Sequence, residues 1–160
     1  MHRFVLPLVF AVATAVLVGC GPTDKELATM DLPALRQVAE QGEVKAQFIL
    51  GTVYANGKGV PQNYKQAVAW YQKAAEQGHA EAQYDLGRMY YHGEVVPQDW
   101  KQAYVWFSVA VANGYKETLY VPYGADAASI RDDIGKTLTS EQLAEAQALA
   151  THYFEQYQPQ

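Results

Sequence analysis

The chain has 160 residues, 49% of them hydrophobic, with 12 Lys+Arg against 17 Asp+Glu. That is enough for one modest core, and the mildly acidic balance argues against a nucleic-acid partner, because neutralising phosphates takes a basic face. A single cysteine excludes an internal disulfide.

The first segment is MHRFVLPLVFAVATAVLVGC. Arg3 supplies a positive start, and Phe4 to Gly19 is apolar except for Thr14. The pattern is that of a signal peptide over residues 1–19, short for a membrane span of about 20 apolar residues. Leu17-Val18-Gly19-Cys20 resembles the bacterial lipobox, in which a small residue precedes a cysteine that is acylated and becomes the new N-terminus. The resemblance implies a lipoprotein with covalent lipid on Cys20; an uncleaved anchor and an ordinary cleavable signal are the alternatives. Two or three acyl chains hold a protein stably at a membrane, since each buried methylene contributes about 0.8 kcal/mol. Gly21 rather than Asp follows the cysteine. By resemblance to sorting in Gram-negative bacteria, that favours the outer membrane, with the protein facing the periplasm. Residues 20–30 then read as a lipidated tether.

Asp31 to Gly42 reads as the second helix of a truncated repeat, because Ala39–Gly42 and Ala75–Gly78 are both Ala-Glu-Gln-Gly, 36 residues apart. The repeat proper follows twice. Sliding Val44–His79 onto Ala80–Tyr115 without a gap gives 15 identities in 36 positions, where unrelated windows would give about two. A fixed period of this size is the signature of a stacked repeat. Many of the tyrosines and tryptophans fall at repeat positions, so packing is their first explanation.

In the first copy, Val44 to Asn56 is predicted as a helix, with Ala46, Leu50 and Tyr54 on one face. Gly51 costs about 1 kcal/mol relative to Ala inside a helix, tolerable where a neighbour must come close. Gly57 and Gly59 offer positive φ and break the helix. Asn63 is a good N-cap for a second helix, Tyr64 to Gln77, with Gln66 as the other half of a capping box, and Gly78 stops it. The second copy repeats these devices, with Asp99 and Gln102 as cap and partner and Gly93 and Gly114 as breakers. It departs at Val95, the counterpart of Gly59, so the second loop is expected to differ.

The patterns A-Q-x-x-L-G-x-x-Y-x-x-G-x-G-V and A-x-x-W-Y-x-K-A-A-x-x-G resemble the Sel1-like repeat, a 36-residue relative of the tetratricopeptide repeat. Ala46 to Gly78 matches almost throughout, and Ala82 to Gly114 matches with Val95, Phe107, Val109 and Val111 as departures. The resemblance implies an all-α fold: a short right-handed α-solenoid of antiparallel helix pairs over residues 31–115 (partial 31–42, full 44–79 and 80–115). Residues 116–160 are expected to form a C-terminal helical cap, because a solenoid end must be covered. Within it, Thr118 to Ala125 reads as loop, since Pro122 falls where a third repeat would place its Leu. Asp126 to Lys136 reads as a helix, and Thr139-Ser140-Glu141-Gln142 as a capping box opening a last helix to about Gln156.

No catalytic constellation stands out. His79, His92 and His152 are in no H-E-x-x-H or comparable metal spacing and read as surface residues. Ser108, Ser129 and Ser140 lack the G-x-S-x-G and S-x-x-K settings, and Gly57-Lys58-Gly59 is no P-loop. Glu141, Glu145, Asp132 and Asp133 read as solvated charge. No metal, cofactor or catalytic residue is expected; the lipid on Cys20 is the one non-protein group.

What remains is surface. In stacked helix pairs the first helices line the concave side. Beside their core positions lie Lys45, Phe48, Thr52 and Asn56, then Glu81, Tyr84, Arg88, Tyr91 and His92. This aromatic and polar mix suits a groove for one helix or strand of a partner protein, with Tyr and Arg as anchors; Phe48 and Tyr84 equally suit packing between repeats. The expected function is an envelope interaction module or scaffold. The alternative is a cell-wall enzyme or peptidoglycan-binding protein: cysteine-rich members of the family have been linked to penicillin binding and β-lactamase activity, but they rely on a disulfide in each repeat that this chain lacks.

Overall fold

Each helix begins where a polar side chain can take up its unpaired N–H groups. In the computed structural model, which describes residues 21–93, 97–115 and 126–158, the helices are α1 (Asp24–Thr29), α2 (Leu32–Glu40), α3 (Val44–Asn56), α4 (Tyr64–Ala75), α5 (Ala80–His92), α6 (Trp100–Ala112), α7 (Ala127–Thr137) and α8 (Ser140–Gln156). Their N-caps are Thr23, Asp31, Glu43, Asn63, His79, Asp99, Asp126 and Thr139. The predicted signal peptide, Cys20, Val95 and the Thr118–Ala125 loop lie outside the described residues. Among the described residues there is no strand.

The two repeats fold into matching hairpins, α3–α4 and α5–α6, held by the same bonds at the same positions. Buried Gln47 donates to the Ala39 carbonyl at 3.1 Å and accepts from Gln77 at 2.8 Å; 36 residues on, buried Gln83 donates to Ala75 at 3.0 Å and accepts from Asn113 at 3.1 Å. Gln62 donates to the Ala55 carbonyl as Gln98 does to Tyr91. Gln47 and Gln83 each satisfy a carbonyl that a helix end leaves open, which ties one hairpin to the next.

Glycine sets the spacing inside each hairpin. A Cβ on Gly51 would lie 2.6 Å from the Tyr71 ring, and one on Gly87 2.9 Å from the Phe107 ring. Both glycines therefore mark the close approach expected of them. Gly57 (φ +65°) and Gly93 (φ +68°) close α3 and α5 in the left-handed region.

Two expectations are corrected. Residues 20–30 were assigned to a tether, but Asp24–Thr29 folds as α1, closed by a full capping box between Thr23 and Glu26, because Leu27 gains a core site at 1% exposure. Asn63 and Asp99 form only the forward half of the expected boxes, each accepting from a backbone N–H at 3.0 Å; the full box forms at Thr139 with Gln142.

Beyond the repeats, α7 and α8 both pack on α6. Ile134 of α7 joins a cluster with Tyr84, Ala103 and Phe107, while Ala146 and Ala150 of α8 cover Val105 and Val109. The result is an all-α solenoid of helix pairs with a helical cap.

Candidate functional site

A cavity of about 360 Å³ opens where the hairpins meet, between α3, α4 and α5. The 36-residue period puts α5 against α4, and most side chains that face the gap come from positions where the two repeats differ. Phe48, Thr52 and Asn56 line it from α3, Tyr71 from α4, and Asp85 and Arg88 from α5. The ring of Phe48 is fixed on two sides, stacked on His79 at 4.7 Å and tilted against Tyr71 at 5.7 Å. The Thr52 and Tyr71 hydroxyls are hydrogen-bonded at 3.2 Å.

Asp85 is the unusual group. Its counterpart in the first repeat is Ile49, 36 residues earlier. The carboxylate, only 21% exposed, accepts from Arg88 Nη1 at 3.2 Å, one turn along the same helix. Burial pushes its pKa up, against the opposing pull of Arg88 and of the nearby Tyr71 hydroxyl. Burial likewise pushes Tyr71 well above the ordinary phenol range, with the charge of Asp85 adding to it.

Of the residues singled out from sequence, Phe48, Thr52, Asn56 and Arg88 come together around this cavity; the other five do not line it. Lys45 is exposed and pairs with Asp24 of α1 at 2.6 Å. Glu81 is exposed beside His79. Tyr84 is 7% exposed and stacked on Tyr115 at 4.3 Å, so it is packing rather than surface. The reason is repetition: Tyr84 and Tyr115 occupy the positions of Phe48 and His79. Tyr91 and His92 lie in edge contact near Trp100, the exposed large apolar side chain among the described residues. Asp85 and Tyr71 went unassigned to the groove, although a charge replacing an isoleucine between otherwise matching repeats was a visible signal for Asp85.

The histidines divide. His92 and His152 are exposed, but His79 is not the surface residue expected. Its Nδ1 accepts the Ala82 N–H at 3.3 Å as the cap of α5, and burial lowers its pKa. An Nδ1 that accepts an N–H carries no proton of its own, and the Glu81 carboxylate 3.3 Å away becomes its partner only on protonation. Among the described residues no three His, Cys, Asp or Glu side chains cluster as a metal site requires, and no helix is long and apolar enough to cross a membrane.

The family model described as Sel1 repeat matches residues 44–79 and 80–115, the two hairpins with their turns. Two solved structures share the fold. One is a protective antigen of uropathogenic Escherichia coli strains displaying an SLR fold, 39% identical with a TM-score of 0.67. The other is a Sel1 repeat protein from Oxalobacter formigenes, 32% identical with a TM-score of 0.54. The matches cover 77% and 74% of this chain but only 25% and 44% of those chains. No curated protein sequence matches at a significant level. Sel1 repeats mediate protein–protein interaction, and the family is generally one of scaffolds rather than enzymes.

Proposed function

From a chain that belongs to the Sel1-repeat proteins, with two consecutive repeats, we propose a lipid-anchored envelope protein that docks a partner protein at the cavity between those repeats. The observation that carries the docking role is the cavity itself. Phe48 is held rigid by its neighbours, and the Tyr71 ring lines the same cavity, the fixed aromatic side chains that protein interfaces favour. Anchoring rests on Leu17-Val18-Gly19-Cys20 after an apolar stretch with a positive start. Cys20 becomes the lipidated N-terminus, and the folded repeats face the periplasm from the outer membrane.

Two measurements test the two halves separately. Intact mass of the membrane-extracted protein should lack Met1–Gly19 and carry lipid, and Cys20→Ser should move the protein to the soluble fraction; an unlipidated mass overturns the anchor. A photo-crosslinking residue at Asn56, on the cavity rim, should capture a discrete partner in intact cells, and one at exposed Lys73, outside the cavity, should not. Equal capture at both positions, or at neither, overturns the docking site.

A further inference from the structure

The cavity holds a carboxylate where the first repeat has an isoleucine. Asp85 occupies the Ile49 position of the repeat, is largely shielded, and accepts from one Arg88 nitrogen at 3.2 Å. An ionised carboxylate offers about four acceptor sites, so its capacity is not filled. Exposed Glu81, one turn back on the same helix, adds negative potential at Asp85.

The internal cation is weakly held. Arg88 is on the same helix as Asp85, three residues on, makes a single rather than a forked contact, and is 48% exposed. Pairs of that kind contribute little and exchange readily with solvent. The rings of Phe48 and Tyr71 stand beside the carboxylate in the same cavity, and an aromatic face attracts a cation lying within about 6 Å of its centre.

We propose that this cavity receives a basic side chain of the partner protein, lysine or arginine, which reaches Asp85 beside the rings of Phe48 and Tyr71 and takes the place of Arg88. The inference rests on the cavity being the docking site. Charge complementarity selects this occupant over the others. A carboxylate would be drawn to Arg88 only to meet Asp85, and an apolar side chain would strip Asp85 of its remaining water and return no hydrogen bond. A cation restores what burial removes, and Arg88, displaced, keeps its own hydration at the rim.

The geometry makes the two charged residues opposite in effect, which is the test. Amide-blocked lysine, arginine, glutamate and leucine are titrated into the folded chain and followed by backbone amide NMR, with dissociation constants on the order of millimolar for single side chains. Lysine or arginine should shift Thr52, Asp85 and Arg88 amides, and glutamate and leucine should not. Asp85→Asn should weaken the basic probe at least tenfold, and Arg88→Ala should tighten it several-fold; the same spectra report that each variant is folded. Shifts by glutamate that Arg88→Ala abolishes would overturn the proposal in favour of an anion site. If Asn56 crosslinks a partner but no basic probe shifts the cavity, the docking site stands and the basic occupant is overturned. If there is neither crosslink nor shift, both fall.

Discussion

Helices α4 and α6 occupy the same place in successive repeats and share an inner face. Ala67 and Ala103, Trp70 and Trp106, Tyr71 and Phe107, Ala74 and Ala110 are all buried. Their outer faces part company. On α4, Ala69 and Lys73 are exposed, and the Lys73 ammonium lies 4.2 Å from the centre of the Trp70 ring. On α6 the same positions are Val105 and Val109, both 0% exposed beneath Ala146 and Ala150 of α8. Trp106 is covered not by an amphipathic lysine but by Tyr153 at 5.2 Å and Tyr157 at 6.3 Å. Identity between the repeats thus specifies the hairpin, while the departures specify the neighbour. Val109, which looks like noise when the repeats are aligned, seats the cap.

The largest way to break this difference is to write the first repeat into the second. Val109→Lys places an ammonium where α8 leaves no water. An unpaired buried charge costs about 3–5 kcal/mol, so chemical denaturation should show a loss of that order, and hydrogen exchange should show α8 opening before the repeats. The reverse exchange, Lys73→Val, acts on an exposed face and should change stability by no more than about 0.5 kcal/mol. Equal losses from the two substitutions would mean that α8 does not depend on the valines.

A smaller effect separates the inner faces. Gly51→Ala and Gly87→Ala both drive a methyl into an aromatic ring, and on distance alone, 2.6 Å against 2.9 Å, Gly51 should suffer more. The surroundings reverse the order. Tyr71 borders the inter-repeat cavity and has space to yield, whereas Phe107 is fully buried between α5 and α7. Overpacking costs about 1–3 kcal/mol; Gly87→Ala should fall at the upper end and Gly51→Ala at the lower, measured as urea midpoints at constant slope. Gly51→Ala should also shrink the cavity and weaken whatever binds there, an outcome with no counterpart at Gly87.

The same logic shows what was readable in the sequence. The helix bounds of α3 and α5, the glycine turns and the close-approach glycines follow from local rules applied to a period of 36 residues: alternation of apolar faces, short polar caps and positive φ. The cavity was only half legible. Phe48, Thr52, Asn56 and Arg88 were found by helical spacing, but spacing places Tyr84 beside them with equal force. Its burial depends on Tyr115, whose stacking is a tertiary fact. Asp85 was missed because charge at a half-exposed helical position is ordinary until the neighbouring helix shields it. Leu27 was missed because six residues of α1 carry too short a pattern to announce a core contact.

The finest distinction between the repeats is chemical and concerns the stack on the first aromatic. Phe48 rests on His79 and Tyr84 on Tyr115, at equivalent positions, so one stack contains an imidazole and the other a phenol. Burial lowers the pKa of His79 in the fold, with Lys45 adding to the effect and Glu81 opposing it. As pH falls, the unfolded chain then takes up a proton at its ordinary value of about 6.5 before the folded chain does. Stability rises with pH wherever the unfolded state binds more protons, so this contribution is present above the unfolded pKa and is lost as pH falls below it. Exposed His92 and His152 are common to both proteins and drop out of a comparison with His79→Tyr, which copies the second repeat into the first. The substitution also removes the cap on the Ala82 N–H, a loss of about 1 kcal/mol that is the same at every pH. Urea midpoints at about pH 7.5 and about pH 5.5 separate the two effects: His79→Tyr should be less stable than the parent at the higher pH, and the gap should narrow at the lower. A gap of constant width would mean that His79 binds its proton equally well folded and unfolded, and that the two stacks differ in shape alone.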